Sequence, residues 1–277
     1  MKQFLTLFKS PMFVIGFSLF VGTLLLALLG PLVFNITTER VGVQYAPPSG
    51  KYWFGCDDLG RDYVSLLIKG LQASLYVGFL AGIIATTLGT LLGIYGGFKG
   101  GLVDDIINMV TNLFIVIPSI VIIILISASF SEGRSLTLIA VIIGMTAWTW
   151  SARAVRAQSS ALKSKDHISL AKMNGANTFA VITLHILPYL ASYVFMVFIL
   201  QVATGILTEA AISMIGLGPL DTVSLGTILN QAKNNGALSD GIWWAFLPAT
   251  VIITMVVFAL YLINTSAEGV FNPRLRK

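Results

Sequence analysis

Charged side chains are scarce in this 277-residue sequence, in which Asp, Glu, Lys and Arg make up 10% of residues and hydrophobic types 56%. Soluble domains carry roughly 25% charged residues, and the mean hydropathy here is +0.87. The shortage of charge excludes an ordinary soluble domain and indicates an integral membrane protein. Spans of about 20 residues each would leave little of the chain for a folded domain outside the bilayer.

Cysteine and histidine are almost absent. Cys56 is the single cysteine, and His167 and His185 are the two histidines. An internal disulfide is excluded, and neither a resident metal site nor a redox centre is expected, because no cluster of soft ligands can be assembled. We also find no Ser-His-Asp, Cys-His or paired-carboxylate pattern in a plausible pocket, so we do not expect an enzyme.

A phosphate-binding loop is missing as well. Such a loop needs Gly, four residues, then Gly-Lys and Ser or Thr, so that backbone amides can cradle phosphate. The only Gly-Lys pair is Gly50-Lys51, and Tyr45 stands where the first Gly belongs. We therefore expect no bound cofactor on this chain and no ATP site of this type.

Ionisable residues in or beside the apolar runs are few, and each has an ordinary structural interpretation. Asp104 and Asp105 suit the positive end of a helix dipole, and His185 is read as an interfacial packing residue. Glu209 is expected at an interface or against a partner subunit. With so few candidates for ion coupling, we expect the energy for any transport to come from outside this chain.

The apolar residues form continuous runs without strand-like alternation. Such runs predict helices, since each backbone amide in lipid must find its partner within its own segment. We predict an all-α membrane protein with about six transmembrane helices. The predicted spans are residues 12–34, 75–98, 106–126, 136–150, 179–207 and 243–263.

Lys and Arg concentrate in alternate connections between these runs, which predicts that both termini are cytoplasmic. Eleven of the 17 basic residues then lie inside: Lys2, Lys9, Lys99, Arg153, Arg156, Lys163, Lys165, Lys172, Arg274, Arg276 and Lys277. The outer segments carry Arg40, Lys51, Arg61, Lys69, Arg134 and Lys233 beside the acids Glu39, Asp57, Asp58, Asp62, Glu132, Asp221 and Asp240. The net charge of +5 is thus explained by the basic residues that mark the cytoplasmic side, and it does not require a nucleic-acid partner. The first run exceeds the 7–15 residues of a signal-peptide core, so we expect it to be retained.

A long polar interruption separates the fourth and fifth runs. Residues 163–174 predict a short amphipathic helix, and Gly175 stands where a left-handed residue would end it. Its apolar side is predicted to hold Ile168 and Ala171, with Leu170 and Met173 next to them. A helix of two or three turns is marginal in water and needs a surface, either lipid headgroups or another protein.

Here the sequence resembles a family. Gly175, nine residues, and then His185-Ile186-Leu187-Pro188 look like the cytoplasmic-loop signature of the permease subunits of ATP-binding-cassette importers. The family usually begins this signature with Glu-Ala-Ala, where this chain has Ser169-Leu170-Ala171. The resemblance implies that the loop forms a coupling helix that docks into a groove of an ATPase subunit. Pro188 is then read either as a kink or simply as the entry to the fifth helix.

Further blocks narrow the resemblance to the dipeptide, oligopeptide and nickel group, on the shorter subunit with one extra N-terminal helix. The blocks are "FGCDDLGRDYVSLLIKGLQASLYVG" (54–78), "GIYGGFKGGLVDDIINMVTNLFIVIPSIVIIILI" (93–126), "EAAISMIGLG" (209–218) and "NPRLRK" (272–277). The chain departs from the group at Leu66 and Gln72, where basic residues are common, and at Cys56, where Thr is common. Four blocks in the family's order cover nearly the whole chain.

The resemblance implies a type I importer permease that forms half of a translocation pathway. Its implied partners are a second homologous permease in a heterodimer, two cytoplasmic ATPases that use ATP and Mg, and an extracytoplasmic binding protein in a bacterial cell membrane. Small peptides are the first cargo expected, and nickel or a metal chelate is the second. Two rivals stay open: an ion-coupled secondary carrier and a structural or assembly protein.

Three sets of candidate residues follow. For ATPase coupling they are Lys163, Lys165, Asp166, His167, Ser169, Ala171, Lys172, Met173, Gly175 and Pro188. For contact with a partner subunit or binding protein they are Asp58, Gly60, Arg61, Asp62, Glu209 and Gly216. The pore candidates are the small or polar Ser119, Thr146, Ser192 and Gln201.

Three structural expectations complete the sequence reading. "DDLGRD" (57–62) is expected to cap an amphipathic helix through Asp57 or Asp58, with Arg61 in an exposed ion pair. Residues 212–242 are expected to form a long outer loop, and "GTLLG" (89–93) predicts a close helix contact. By division, residues 1–74 would form an N-terminal helix with an outer interfacial segment, and residues 75–277 a five-helix core with the coupling loop at 151–178.

Overall fold

The computed structural model describes residues 7–130 and 134–271, which form helices and loops with one isolated β-bridge between Cys56 and Asp62. The helices are α1 (Pro11–Val33), α2 (Tyr63–Lys99), α3 (Gly101–Val116), α4 (Ser119–Ser129), α5 (Leu136–Lys163), α6 (Asp166–Met173), α7 (Thr178–Leu217), α8 (Leu225–Asn234) and α9 (Leu247–Phe271). Within α7, Val181–Ile186 and Ser213–Leu217 are π-helical. The predicted sites at Lys2, Glu132, Arg274, Arg276, Lys277 and 272–277 lie outside the described residues.

The all-α membrane prediction is confirmed. Five of the described helices are long and apolar enough to span a bilayer, and the bent pair α3 and α4 raises the number to six if it forms one span. The two members of that pair meet at 77°. The break falls at Ile117 and Pro118, because Pro lacks an amide donor and disfavours a helical residue before it.

The second predicted span begins earlier than expected. The segment that was predicted as a separate amphipathic helix joins it, so that α2 runs without a break for 37 residues, about 55 Å at 1.5 Å per residue. The proposed domain division at residue 74 stays a prediction, and that position falls inside α2. The outer segment 212–242 is not a loop throughout, since it contains α8.

The predicted close helix contact at "GTLLG" is confirmed. A Cβ atom at Gly89 would lie 2.4 Å from the Cβ atom of Ser151, and one at Gly93 would lie 2.6 Å from the carbonyl oxygen of Ala152. Both partner residues belong to α5. Glycine therefore allows the backbones of α2 and α5 to approach more closely than any other residue would.

The core is built around α2, which packs against α5 along one side and α7 along another. Its buried residues pack with those of α7, α8 and α9 in one large cluster, and α1 covers α9 through Gly16. A smaller cluster lies where α2 and α5 end and α7 begins. We call this the α6 end of the bundle, and we call the opposite end, where residues 34–62 meet α8, the α8 end.

Candidate functional site

Helix α6 lies across one end of the bundle and is fixed there by a single buried side chain. Ile168 is fully buried (0% exposed) in the cluster formed by the ends of α2 and α5 and the start of α7. Ala171, the other residue predicted for that face, is partly buried against the same cluster. These contacts connect α6 with three other helices of the bundle.

The prediction that Gly175 ends this helix is confirmed. Gly175 has φ of +80°, and its amide donates to the carbonyl of Lys172 at 3.0 Å. The amide of Ala176 donates to the carbonyl of Ala171 at 3.1 Å. This pair of bonds is the Schellman arrangement, in which a left-handed residue reverses the chain after a helix. Helix α6 is shorter than predicted, at eight residues, and begins at Asp166.

The face of α6 that points away from the bundle is exposed and partly apolar. Leu170 is 58% exposed and Met173 is 83% exposed, although both were expected near the buried side. Lys165, Asp166 and Ser169 are exposed as well. A large exposed apolar residue at each of two nearby positions is typical of a surface that a partner covers.

Two of the predicted coupling lysines point elsewhere. The Lys172 Nζ atom lies 4.4 Å from the centroid of the Phe98 ring in α2, and the Lys163 Nζ atom donates to the Lys99 carbonyl oxygen at 3.3 Å. Both ammonium groups therefore lie against the end of α2. The ring of His167 stacks on the ring of Tyr189, with centroids 4.8 Å apart.

Pro188 lies inside the continuous helical run of α7, immediately after the π-helical stretch Val181–Ile186. A π-helical turn widens the helix by one residue and is a usual site of bending. Both interpretations of Pro188 left open by the sequence fit this position. It is the second residue of the regular α-helical part of α7.

A cavity of about 450 Å³, lined by apolar residues and by several hydroxyl and amide groups, lies between α4, α5, α7 and α9. The predicted pore residues Ser119, Thr146 and Gln201 all line it, whereas Ser192 does not. The side-chain amide of Gln201 donates to the carbonyl of Ala147 at 3.1 Å and to the Ser151 hydroxyl at 2.5 Å. These bonds fix the position of Gln201 at the cavity wall.

The cavity also includes polar residues that the sequence reading missed, namely Thr149, Thr204, Thr208 and Tyr261. The two threonines of α7 could have been found from their spacing. Positions 201, 204 and 208 are three and four residues apart and thus share one helix face. Trp150 and Tyr261 are half exposed at the edge of the cavity. The cavity therefore opens onto the surface of this chain and is not enclosed by it.

At the α8 end, Arg61 ties the outer segment to α8. The Arg61 Nε atom lies 2.6 Å from Asp57 Oδ2, and the Arg61 Nη2 atom donates to Gln231 at 3.2 Å. The ion pair was expected to be exposed, but the side chains of Arg61 and Asp57 are 13% and 2% exposed. Asp57 also accepts the backbone amides of Leu59 and Arg61, so its charge is satisfied locally.

Asp58 faces α8 directly. Its Oδ2 atom accepts a hydrogen bond of 2.7 Å from the side-chain amide of Asn235. Burial raises the pKa of the Asp58 carboxyl above its ordinary value, the charge of Asp57 raises it further, and Arg61 lowers it. Asp57, through Arg61, and Asp58 thus both take part in the contact between the outer segment and α8.

Three predictions at this end are wrong or need revision. Asp62, and neither Asp57 nor Asp58, caps α2, because its carboxylate accepts the amide of Ser65 at 3.0 Å. Gly60 meets the backbone of Gly42, so it serves the internal folding of the segment. Glu209 is not at a contact surface, since it is fully buried. Gly216, with φ of +90°, borders a polar cavity beside α8.

Glu209 joins three helices inside the bundle. Its carboxylate accepts hydrogen bonds from Ser74 of α2 at 3.0 Å and from Ser213 of α7 at 2.7 Å. The Ser74 oxygen in turn accepts the backbone amide of Leu225, the first residue of α8. A buried carboxylate costs free energy unless it is hydrogen-bonded, and these serines supply the donors.

A second polar link was not foreseen. Arg156 of α5 makes two hydrogen bonds of 2.5 Å to the carboxylate of Asp104 in α3. From the sequence, Asp104 was expected only to interact with the positive end of a helix dipole, and Arg156 was counted among the basic residues that indicate the cytoplasmic side. Two parallel bonds between planar groups fix geometry as well as charge, so this pair holds α3 against α5.

These features define a helical, multi-span membrane protein with a cavity that opens at its surface and a short helix packed across one end of the bundle. Residues 89–277 match the family described as "Binding-protein-dependent transport system inner membrane component". The chain belongs to this family. It is an inner-membrane permease component of the transport machinery of bacteria, as the sequence resemblance implied.

The full-length relatives are named for peptide transport. The chain is 30% identical to the oligopeptide transport system permease protein OppC of Bacillus subtilis (strain 168), over 100% of this chain and 92% of the relative. It is 27% identical to the dipeptide transport system permease protein DppC of the same organism, over 97% and 84%. A putative peptide transport system permease protein of Brucella suis is 29% identical over 98% and 90%.

Proposed function

We propose that this chain is the permease subunit of an ATP-driven importer and forms half of a translocation pathway for small peptides. The family assignment supports the permease role, and the names of the oligopeptide and dipeptide relatives support the cargo. The proposed complex contains a second homologous permease, two cytoplasmic ATPases that use ATP and Mg, and an extracytoplasmic binding protein. Both termini are cytoplasmic in this arrangement, which puts the α6 end on the ATPase side.

The observation that carries the proposal is the mounting of α6. Its inner face is fixed by Ile168 in a cluster that three spans share, and its outer face exposes Leu170 and Met173. An ATPase that grips the outer face would move the ends of α2, α5 and α7 together. Motion of packed helices around a stiff element is a common form of conformational coupling.

The cavity with its hydroxyl and amide groups supports a pathway shared with a second subunit. Its hydroxyl and amide groups lie on membrane-spanning helices, and the cavity opens at the surface of the chain. Polar groups that face hydrocarbon cost free energy, so a second permease placed against this opening would remove that cost and enclose a passage. None of the lining residues carries a formal charge, so this wall suits peptides of different net charge.

The cargo is tested with the binding protein that co-purifies with the complex. We expect calorimetry to show binding of short peptides, and unlabelled peptides to compete for ATP-dependent uptake into proteoliposomes. Ni²⁺ and a nickel chelate form the comparison arm. Binding of nickel without binding of peptides would contradict the peptide assignment while leaving the permease assignment intact.

A further inference from the structure

Three lysines from three helices meet in one cavity at the α6 end. Lys99 is the last residue of α2, Lys163 is the last residue of α5, and Lys172 lies in the last turn of α6. Together with Phe98 and Thr178 they line a cavity of about 410 Å³. Lys99 is 64 positions away from Lys163, so the fold brings it to the two lysines of the loop.

Uncharged neighbours hold the ammonium groups at the cavity. As described above, Lys172 lies over the Phe98 ring and Lys163 donates to the Lys99 carbonyl. The Lys99 Nζ atom lies 5.7 Å from the centroid of the Tyr95 ring. These contacts orient the ammonium groups without a carboxylate as the direct partner.

Among residues 7–130 and 134–271, no acidic residue lines the cavity. The two ion pairs found in the described part of the chain are Arg61 with Asp57 and Arg156 with Asp104, and neither includes one of these lysines. Asp104, which lies near Lys163, is bound by Arg156 through both carboxylate oxygens. Like charges around one cavity repel each other unless an anion joins them.

We propose that this cavity binds a phosphate group, either the headgroup of an anionic phospholipid or free inorganic phosphate. Lysine is a common phosphate ligand, and basic pockets between membrane helices on the cytoplasmic side bind lipid headgroups. Lys99 and Lys163 end two membrane-spanning helices, which puts the cavity at the level of the headgroups. Thr178, the first residue of α7, adds a hydroxyl group to the lining.

This site is separate from the exposed face of α6. Lys172 turns back toward α2, whereas the outer face presents Leu170, Met173 and Lys165, which do not line the cavity. A bound phosphate would connect α2, α5 and α6 and stiffen the mounting of the helix. The consequence for transport rests on the proposed function, whereas the binding itself does not.

The test measures thermal unfolding of the purified complex in detergent with added phosphatidylglycerol, phosphatidylcholine or inorganic phosphate. We expect phosphatidylglycerol to raise the unfolding temperature in a saturable way, and phosphatidylcholine not to do so. Each Lys→Gln change at positions 99, 163 and 172 should weaken the lipid effect about five-fold, the factor that corresponds to roughly 1 kcal/mol per lysine. An equal response to inorganic phosphate would identify free phosphate as the source.

Lys165→Gln is the matched control, because it removes the same charge from the same loop outside the cavity. Lys172→Gln serves as the deciding variant if Lys99→Gln or Lys163→Gln does not fold, since Lys172 is exposed. Equal lipid effects in wild type and Lys172→Gln, or equal losses in Lys172→Gln and Lys165→Gln, would overturn the proposal. Lipid binding that persists in a complex without ATP-driven uptake would refute the proposed function alone.

Discussion

Gly89 shows how one missing side chain sets the distance between two helices. Its hydrogen faces the backbone of α5, where a Cβ atom would also lie 2.8 Å from the amide of Ala152 and from the carbonyl of Trp148. A side chain here must push the backbones apart, because these two backbone atoms cannot rotate away. The same approach continues one turn later at Gly93.

We expect Gly89→Val to destabilise the protein by at least the roughly 1–3 kcal/mol typical of overpacking. The measurement is the unfolding temperature of the purified chain in detergent. Gly22→Val is the matched control, since a Cβ atom at Gly22 in α1 meets nothing within 4 Å. Equal unfolding temperatures for the two variants would show that α2 and α5 do not approach as described.

Glu209 is the second residue whose chemistry is decided by its surroundings. Removal of its carboxylate in Glu209→Ala leaves the hydroxyls of Ser74 and Ser213 without their acceptor, at about 1–3 kcal/mol for each buried unsatisfied group. Glu209→Gln keeps the shape and one acceptor oxygen. We expect Glu209→Ala to lower the unfolding temperature clearly and Glu209→Gln to lower it much less.

The outcome that would count against this interpretation is an equal loss in the two variants. Such a result would mean that the negative charge of Glu209, and not its hydrogen bonds to the serines, is what matters. The same comparison tests the link to α8, because Ser74 also receives the amide of Leu225. Loss of the link should raise protease sensitivity in the segment around α8 in Glu209→Ala.

At the scale of elements, α6 has one face buried in the bundle and one face exposed, and the proposed function assigns transmission to the first and docking to the second. Ile168→Ala removes a fully buried side chain, a change that typically costs 2–5 kcal/mol in a core, whereas Leu170→Ala changes an exposed one. We expect Ile168→Ala to keep ATPase subunits bound and ATP hydrolysis running while uptake falls. Leu170→Ala should instead weaken co-purification of the ATPases.

The two variants therefore separate docking from transmission. The measurements are the amount of ATPase subunit retained on the purified complex and the number of cargo molecules taken up per ATP hydrolysed. If Leu170→Ala retained the ATPases fully and Ile168→Ala transported normally, α6 would have neither task. Gly175, with its positive φ, reverses the chain directly after this helix.

Several elements could be predicted from the sequence because hydropathy and local stop signals determine them. The spans, the short helix after α5 and its end at Gly175 all follow from runs, periodicity and a left-handed residue. The break at Pro118 was less predictable, since proline inside a long apolar run also occurs in merely kinked helices. The early start of α2 was missed because its first turns are amphipathic in sequence yet buried in the fold.

At the scale of the whole molecule, the features that were missed are contacts between distant residues. Arg156 and Asp104 are 52 positions apart, and no periodicity in the sequence pairs them. The three lysines of the α6 end and the burial of Glu209 have the same origin. Of the four candidate pore residues, Ser119, Thr146 and Gln201 line one cavity and Ser192 does not. Ser192 was misassigned because a single sequence does not show which side of α7 faces the cavity.

In the proposed function, the molecule as a whole is a permease whose conformational changes are driven by separate ATPase subunits. It has a cavity, a stiff bundle and a mounted helix, and the sequence offers no phosphate-binding loop of the usual kind. In the proposed function, the energy for uptake enters through α6. This is the central claim, and it concerns the chain together with its proposed partners.

The most direct measurement compares peptide uptake into proteoliposomes that contain the full complex with uptake into those that contain this chain alone. Each preparation is assayed with ATP on the side of the membrane where the ATPase subunits bind and, separately, with an imposed proton or sodium gradient. We predict accumulation only for the full complex with ATP and binding protein. Accumulation by the isolated chain in response to an ion gradient, or by the complex without ATP, would contradict the account.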